Sequence, residues 1–413
     1  MLNRVSGVLY WKASQFNLTR LTPSCRSNFL DAGKGCDEFS RNKQMLDTLS
    51  VTMLPAKEGD CLLISYGEEF NRKYILIDAG RAWTYEQALK GFLSDNGVSR
   101  LELLVVTHVD RDHIEGVLSL VKDPELKLEV KNIWFNTWEH LFGHPIVYPG
   151  FDADLKEFGV KMGEELSIEI IAKGWRWNRH FGGQAVERYN DPTSNIILLD
   201  DIILTLLSPD RAKLETLIPT WNAECLAAGL TPGVSVEDYA VPDDALEESG
   251  TIDIETLAEE DFIEDHSAAN GSSIAFILQY KNLKILLAGD AHSGLLVESL
   301  KALGFSIENP IVLDLFKIPH HASKFNLSKD LIQLMRCENY FVSTNGNYSK
   351  HPDNVALARL IKYSTTKPSI VFNYRTSYTK LWENSNWQKK YGYTTRYPKN
   401  KENGYNHLDL IVV

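Results

Sequence analysis

The stretch 107–113 constrains this chain more than any other part of its sequence. It reads Thr-His-Val-Asp-Arg-Asp-His, follows the apolar run 103–106, which is typical of a buried strand, and precedes a segment with a helical pattern. Alternation in the extended part sends two side chains to one side, and the turn brings two more to a neighbouring point. Potential metal ligands therefore crowd together here: His108, Asp110, Asp112 and His113.

The ligand types indicate which metals would bind. Imidazole nitrogens and carboxylate oxygens suit zinc, and mixed sets of them also bind manganese or iron. The stretch could serve two adjacent cations, so we expect Zn²⁺ at two sites, with Mn²⁺ or Fe as alternatives. For any one of these residues alone, a polar turn with Asp112 near the N-cap of the helix is the simpler interpretation.

Length, charge and cysteine usage set the broad class. A chain of 413 residues suggests one large domain with insertions, or two domains. No run approaches the roughly 20 apolar residues that cross a bilayer. The formal charge of −12 argues against broad coating of nucleic acid but leaves room for a local basic groove. Five scattered cysteines without Cys-x-x-Cys spacing fit a reducing compartment. We therefore expect a soluble, cytoplasmic protein that does not associate with membranes.

The pattern divides the chain into a main domain and additions. Residues 1–48 are weakly periodic and are interpreted as an N-terminal extension, residues 49–360 as the main domain, and residues 361–413 as a C-terminal extension ending in a strand. An acidic insertion occupies 210–268, and its part 237–265 has no Lys or Arg. A solvated insertion is the plain interpretation, and a flap over the site or a surface for a partner protein is the alternative.

Polar groups recur at strand ends elsewhere in the chain. Asp290 follows one apolar strand, the pair His320 and His321 follows the next, and His351 comes soon after a third. Earlier, Asp78 ends another apolar run, where it could cap the turn or orient a histidine ligand. This recurrence predicts a single site at one edge of a sheet.

The C-terminal extension interleaves basic and aromatic residues, including Trp382, Trp387, Lys389 and Lys390. Such interleaving suits stacking of bases and contact with a nucleic-acid backbone. An edge subdomain whose aromatic residues form its core would give the same pattern. The sequence alone leaves both interpretations open.

Together, these motifs resemble those of the metallo-β-lactamase-fold hydrolases, whose signature is His-x-His/Asp-x-Asp-His after a strand. The resemblance extends over the segments 75–80, 286–291 and 317–323 and so spans residues 49–360. The aspartate at position 110, the Asn-x-Ser-Ser element before Gly-Asp, the His-His-Ala-Ser element and the later His-Pro look most like one branch. It contains the hydrolase domain of the competence DNA-internalisation channel and the choline-binding phosphorylcholine esterases.

The resemblance implies an α/β fold, a four-layer αββα sandwich, with two zinc ions at its rim. It also implies a set of ligands for these ions. They are His108 and Asp110 for the first metal, Asp112, His113 and His321 for the second, and Asp290 as the bridge between both.

The resemblance also assigns roles beyond metal binding. His320 and His351 would donate to the leaving group or to the phosphate, and Asp112 would be essential for both metal binding and activity. The middle motif, which is a histidine in most relatives, has no clear match here, and His180 and His266 are the candidates for it.

We therefore expect a metal-dependent hydrolase that acts on a phosphodiester, with nucleic acid among its potential substrates. One alternative is that the same site hydrolyses an amide, lactone or thioester bond. The other is a non-catalytic module that the metal stabilises and that binds a partner protein.

Overall fold

The computed structural model describes residues 47–142, 160–227, 252–399 and 404–412. Most of the N-terminal extension and the acidic stretch 228–251 lie outside these ranges. The strands are, in chain order, β1 (Asp47–Met53), β2 (Leu62–Glu68), β3 (Lys73–Ile77), β4 (Arg100–Leu101), β5 (Leu103–Val105), β6 (Glu129–Val130), β7 (Ile133–Trp134), β8 (Ile196–Leu199), β9 (Ile202–Ser208), β10 (Ala275–Tyr280), β11 (Leu283–Leu287), β12 (Ile311–Lys317), β13 (Met335–Val342), β14 (Ser369–Phe372), β15 (Thr394–Arg396) and β16 (Asn406–Ile411).

Helices connect and cover these strands. A π-helical turn, Tyr85–Leu89, joins the first two helices, and a 3-10 turn, Pro319–Ala322, follows β12. The α-helices are α1 (Ala82–Thr84), α2 (Lys90–Asp95), α3 (Arg111–Lys122), α4 (Trp138–Leu141), α5 (Val160–Ala172), α6 (Arg211–Ala227), α7 (Ile254–Ala258), α8 (Ala268–Gly271), α9 (Ser293–Ala302), α10 (Lys329–Gln333), α11 (Asn354–Tyr363), α12 (Ser377–Lys380) and α13 (Ser385–Tyr391). None of the helices in the described ranges has the length and apolar character that crossing a bilayer requires.

Fourteen of the sixteen strands in the described ranges form two large mixed sheets, and β4 and β6 pair in a separate two-stranded sheet. The first has the order β16-β1-β2-β3-β5-β7, and the second has the order β15-β14-β13-β12-β11-β10-β9-β8. In the first sheet β3, β5 and β7 are parallel, and in the second the strands from β11 to β15 are parallel. Parallel strands finish at the same edge, so loops that leave these strands gather at one rim of each sheet.

One apolar core lies between the two sheets. Val51 and Ile77 of the first sheet belong to the same buried cluster as Leu204, Phe276 and Ile285 of the second. Alternation within β9 sends Leu204 to this core while its neighbours in sequence face the other side, as the period of a strand requires. The two sheets therefore pack face to face.

Helices cover the outer face of each sheet. Val117 of α3 packs in a cluster with Leu76 of the first sheet, and Leu357 of α11 packs in a cluster with Leu286 of the second. The order of layers is helix, sheet, sheet, helix, which confirms the α/β four-layer αββα sandwich.

The segment 361–413 contributes strands to both sheets. Strands β14 and β15 extend the second sheet beyond β13, and β16 pairs antiparallel with β1 in the first. Trp382 and Tyr393 lie in the core beneath the second sheet. These two aromatic rings are packing residues and are not available for stacking on a base.

Candidate metal centre

The first half of the site lies where β3 and β5 end side by side. Both carboxylate oxygens of Asp78, which follows β3, accept hydrogen bonds from Thr107, over 2.8 Å from its backbone nitrogen and 2.7 Å from its hydroxyl. Nδ1 of His113 lies 2.8 Å from Oδ2 of Asp78, a carboxylate partner that assigns the ring proton to this nitrogen. The buried Asp78 thus orients the His113 ring and leaves its Nε2 free for a metal.

His108 is held by hydroxyl groups from both sheets. Its Nδ1 lies 3.0 Å from Oγ1 of Thr107 and 3.1 Å from Oγ of Ser273, which precedes β10. The Ser273 hydroxyl also accepts a hydrogen bond from the backbone nitrogen of Asp290 over 3.1 Å. Ser273 therefore links the two halves of the site, a role that only its neighbours in space reveal.

The loop between β1 and β2 closes over the start of α3. A Cβ atom on Gly59 would lie 1.8 Å from the backbone oxygen of Asp112, so this position requires glycine. The close approach brings the next residue, Asp60, into the site, where it is 1% exposed. Local sequence pattern does not reveal this role of Asp60, because it does not show which loop lies opposite the start of α3.

The second half of the site comes from the second sheet. Asp290 follows β11, and His320 and His321 follow the neighbouring parallel strand β12. Both histidines have left-handed backbone angles, with φ of 45° and 52°, which non-glycine residues rarely adopt. Nδ1 of His321 donates to the backbone oxygen of Ser343 over 2.7 Å, so its Nε2 is the nitrogen left for a metal.

Ligand atoms from the two halves converge. Oδ2 of Asp290 lies 3.4 Å from Nε2 of His113 and 3.5 Å from Nε2 of His321. Oδ2 of Asp112 lies 3.6 Å from the same His321 nitrogen. In the described residues, four groups of atoms within 4.8 Å of one another could hold a cation; two of them, which share His113, are His108 with His113 and Asp290, and Asp112 with His113 and His321.

Several of these atoms are buried without a hydrogen-bond partner. They are Nε2 of His108, His113 and His321 and Oδ1 of Asp290. Burying a polar atom without a partner costs about 1–3 kcal/mol, so such atoms in one small cluster need an explanation. A cation coordinated by these nitrogens and carboxylates explains all of them, and the residues present therefore fit a metal centre.

The charges of the cluster are mutually dependent. Burial raises the pKa of Asp290, but the imidazoles of His321 and His113 outweigh it and hold the pKa well below its usual range. Burial conversely lowers the pKa of His113, but the carboxylates of Asp290, Asp112 and Asp78 outweigh it and raise the pKa. The cluster thus attracts positive charge, which a proton or a metal can supply.

The outer part of the site is less enclosed. Oδ2 of Asp110 lies 3.4 Å from Nε2 of His108, and the Asp110 side chain is 42% exposed.

The two candidates for the middle-motif histidine have other surroundings. His180 accepts a hydrogen bond from the indole nitrogen of Trp134 over 3.0 Å, and His266 is exposed. Neither histidine belongs to the groups of potential ligands found in the described residues.

His320 and His351 lie beside the ligand cluster, with ring centroids 5.2 Å apart. Nε2 of His320 is 3.9 Å from Oδ2 of Asp290. Its Nδ1 is 2.9 Å from Oδ1 of Asn326 and 3.5 Å from Oδ2 of Asp265. Asp265 belongs to the acidic insertion, whose described end therefore reaches the site, although the sequence favoured a solvated segment there.

Comparisons with known proteins add little. Neither a family model nor a curated protein sequence matches the chain. Among solved structures, the chain is similar to the metallo-β-lactamase fold protein YhfI from Bacillus subtilis, with 11% identity and a TM-score of 0.38 over 87% of this chain and 99% of that one. It is also similar to CmlA, a diiron β-hydroxylase from Streptomyces venezuelae, with 10% identity and a TM-score of 0.36 over 89% of this chain and 54% of that one. Likeness at this level carries no argument about function, which must come from the site.

Proposed function

We propose that this protein is a metal-dependent hydrolase with two adjacent zinc sites and that it acts on phosphodiesters, nucleic acid among them. The observation that carries the proposal is the cluster of buried, unpartnered imidazole nitrogens and carboxylate oxygens at the rim of the sandwich. Two cations held there would lower the pKa of a bound water and polarise a phosphoryl oxygen. Mn²⁺ or Fe would suit the same nitrogen and oxygen donors.

Each half of the site would contribute ligands to both metals. His108 and Asp110 would hold the first ion and Asp112, His113 and His321 the second. The central place of Asp290, within 3.5 Å of two imidazole nitrogens, supports its role as the shared ligand. Asp78 would orient the ring of His113 by the hydrogen bond between them.

The chain's own proton donor would be His320. Asn326 and Asp265 contact one ring nitrogen, which fixes the ring and leaves the Nε2 side toward Asp290. From there an imidazole N–H could protonate the oxygen that leaves phosphorus or bind a phosphate oxygen. His351, whose Nδ1 lies 3.5 Å from Oδ1 of Asp353 and whose ring lies next to that of His320, would be a second donor to the leaving group or to the phosphate.

Metal analysis combined with a substrate panel tests this proposal. The panel contains aryl phosphodiesters, single- and double-stranded nucleic acid, lactones and thioesters, with Asp112→Ala as the blank. We expect bound metal and phosphodiester hydrolysis in the wild-type protein and neither in Asp112→Ala. Full turnover by the metal-stripped variant would refute the mechanism.

The same panel separates the other candidates. Cleavage of lactones or thioesters without phosphodiesters would move the substrate class but keep the metal centre. Tight metal binding without hydrolysis anywhere would favour a non-catalytic module, whose acidic insertion would then be the proposed contact for a partner protein. We further propose a cytoplasmic location, which fits the scattered cysteines.

A further inference from the structure

A lysine is buried beneath the candidate metal centre. Lys317 is the last residue of β12, and it is 0% exposed, which is rare for a lysine unless its charge is paired. Its sequence context, between Phe316 and Ile318, is that of an ordinary core strand. The residue thus places an amino group among the buried apolar side chains of its strand.

The Lys317 ammonium contacts two carboxylates of the site. Nζ forms an ion pair with Oδ2 of Asp60, donates to the backbone oxygen of Gly289 over 3.2 Å, and lies 3.9 Å from Oδ1 of Asp290. Breaking such a buried pair on one side is strongly destabilising because the partner charge is left uncompensated.

Asp60 connects this pair to the ligands. Its other oxygen, Oδ1, is buried without a hydrogen-bond partner and lies 3.5 Å from Nδ1 of His321. Atoms of Asp60, Asp290 and His321 lie within 4.8 Å of one another. The ammonium of Lys317 is therefore next to the carboxylates that a metal would neutralise.

We propose that Lys317 is a built-in counter-cation, which holds Asp60 and Asp290 together while no metal is bound and becomes largely dispensable once metal binds. Without metal, these carboxylates repel each other at low dielectric, and Lys317 offsets that repulsion. With metal, the cation supplies the same compensation. This inference depends on the proposed metal centre but on no reaction.

Removal of the ammonium tests the idea. Lys317→Met keeps the length and the apolar stem of the side chain. We expect its melting temperature to fall much more in chelator-treated protein than in protein saturated with Zn²⁺ or Mn²⁺. Its affinity for the same ion should rise, because a positive charge next to the ion is gone. A pair with a merely structural role would lower the melting temperature equally in both states.

Asp60→Asn provides the opposite charge change. It leaves Lys317 in place with a neutral partner, so we expect weaker binding of Zn²⁺ and Mn²⁺. The double variant Asp60→Asn/Lys317→Met should return the affinity toward that of the wild type. If both single variants weaken metal binding, the pair acts as a scaffold and the proposal is wrong. The comparison of Asp60→Asn with the double variant also decides the question if Lys317→Met does not fold in the presence of chelator.

A matched control is Lys284→Met. Lys284 is partly buried on β11, the neighbouring strand, but lies at its other end from Asp290. We expect equal, small changes with and without metal. If the wild-type protein binds neither ion, the metal centre and this inference both fail, whereas binding with equal losses in Lys317→Met overturns this inference alone.

Discussion

The two ends of the sandwich hold similar residue types under opposite conditions. At the far end, Lys73 pairs with Asp201 over 2.9 Å, and the Asp201 side chain is 66% exposed. At the metal end, Asp78 pairs with His113 over 2.8 Å, and both side chains are 0% exposed. The far pair is solvated, whereas the near pair belongs to a buried network that continues to further carboxylates.

The difference shows that charged residues in themselves do not mark a functional site. At the far end, Lys73 pairs with the carboxylates of Asp200 and Asp201, whose side chains are open to solvent. At the metal end, the Nε2 atoms of His108, His113 and His321 are buried and unpartnered. The clustering of several buried, unpartnered ligand atoms, and not the number of charges, points to a ligand.

Among the residues that are not proposed as metal ligands, His320 should have the largest effect on rate. We expect His320→Gln to lower kcat by about 100- to 10,000-fold, the usual range for loss of a general acid, while the metal content stays unchanged. Metal analysis and steady-state kinetics on the best phosphodiester provide the measurement. Loss of metal from this variant would mean that His320 is a ligand instead.

Asp78 should affect metal binding and leave the ligand set intact. We expect Asp78→Asn to weaken Zn²⁺ binding by about 10- to 100-fold, because the ring of His113 loses its orienting carboxylate. Competition with a chelating dye measures the affinity. Asp201→Asn at the far end is the control, and an equal loss there would refute a specific role for Asp78.

Protons should compete with the metal ion for the ring of His113. The raised pKa of His113 favours the protonated ring in metal-free protein, so a metal must compete with that proton. At pH values below that raised pKa, the affinity for the metal should increase as the pH rises, by about tenfold per pH unit for each displaced proton.

The same shift has a consequence for stability. In metal-free protein, the contribution of His113 to the free energy of unfolding is complete below the ordinary histidine pKa of about 6.5 and is lost as pH rises through the raised pKa.

For the competition between protons and metal, calorimetry of metal binding in buffers of different ionisation enthalpy counts the protons released on binding. Metal affinity that does not change with pH would contradict this assignment.

Substitution of Lys73 at the far end should have the smallest effect on stability and on metal binding. We expect Lys73→Met to change the free energy of unfolding by only about 0–1 kcal/mol, since exposed ion pairs contribute little. Metal affinity should not change at all. Urea unfolding with and without Zn²⁺ checks both statements, and a metal-dependent difference would show that the two ends are coupled.

Much of the site follows from local pattern. The stretch 107–113, Asp290, His320, His321 and His351 all follow apolar strands, and within each sheet the structure gathers them at one rim because parallel strands end together. Residues that contact the site from beneath it, or from a segment distant in sequence, were not predicted. Lys317 looks like an ordinary strand residue, and Asp265 lies in an acidic stretch that favours solvent.

The sequence by itself determined the strand ends and the chemistry that they carry, because alternation, turn residues and ligand types are local properties of the chain, whereas the expectation of four layers came only from the resemblance of its motifs to those of a known fold. Only the tertiary structure decided which atoms face each other. It placed Asp60 against Lys317 and Ser273 against His108, and it left the imidazole nitrogens without partners. Contacts between strands far apart in sequence depend on how the two sheets pack, and no local pattern encodes that packing.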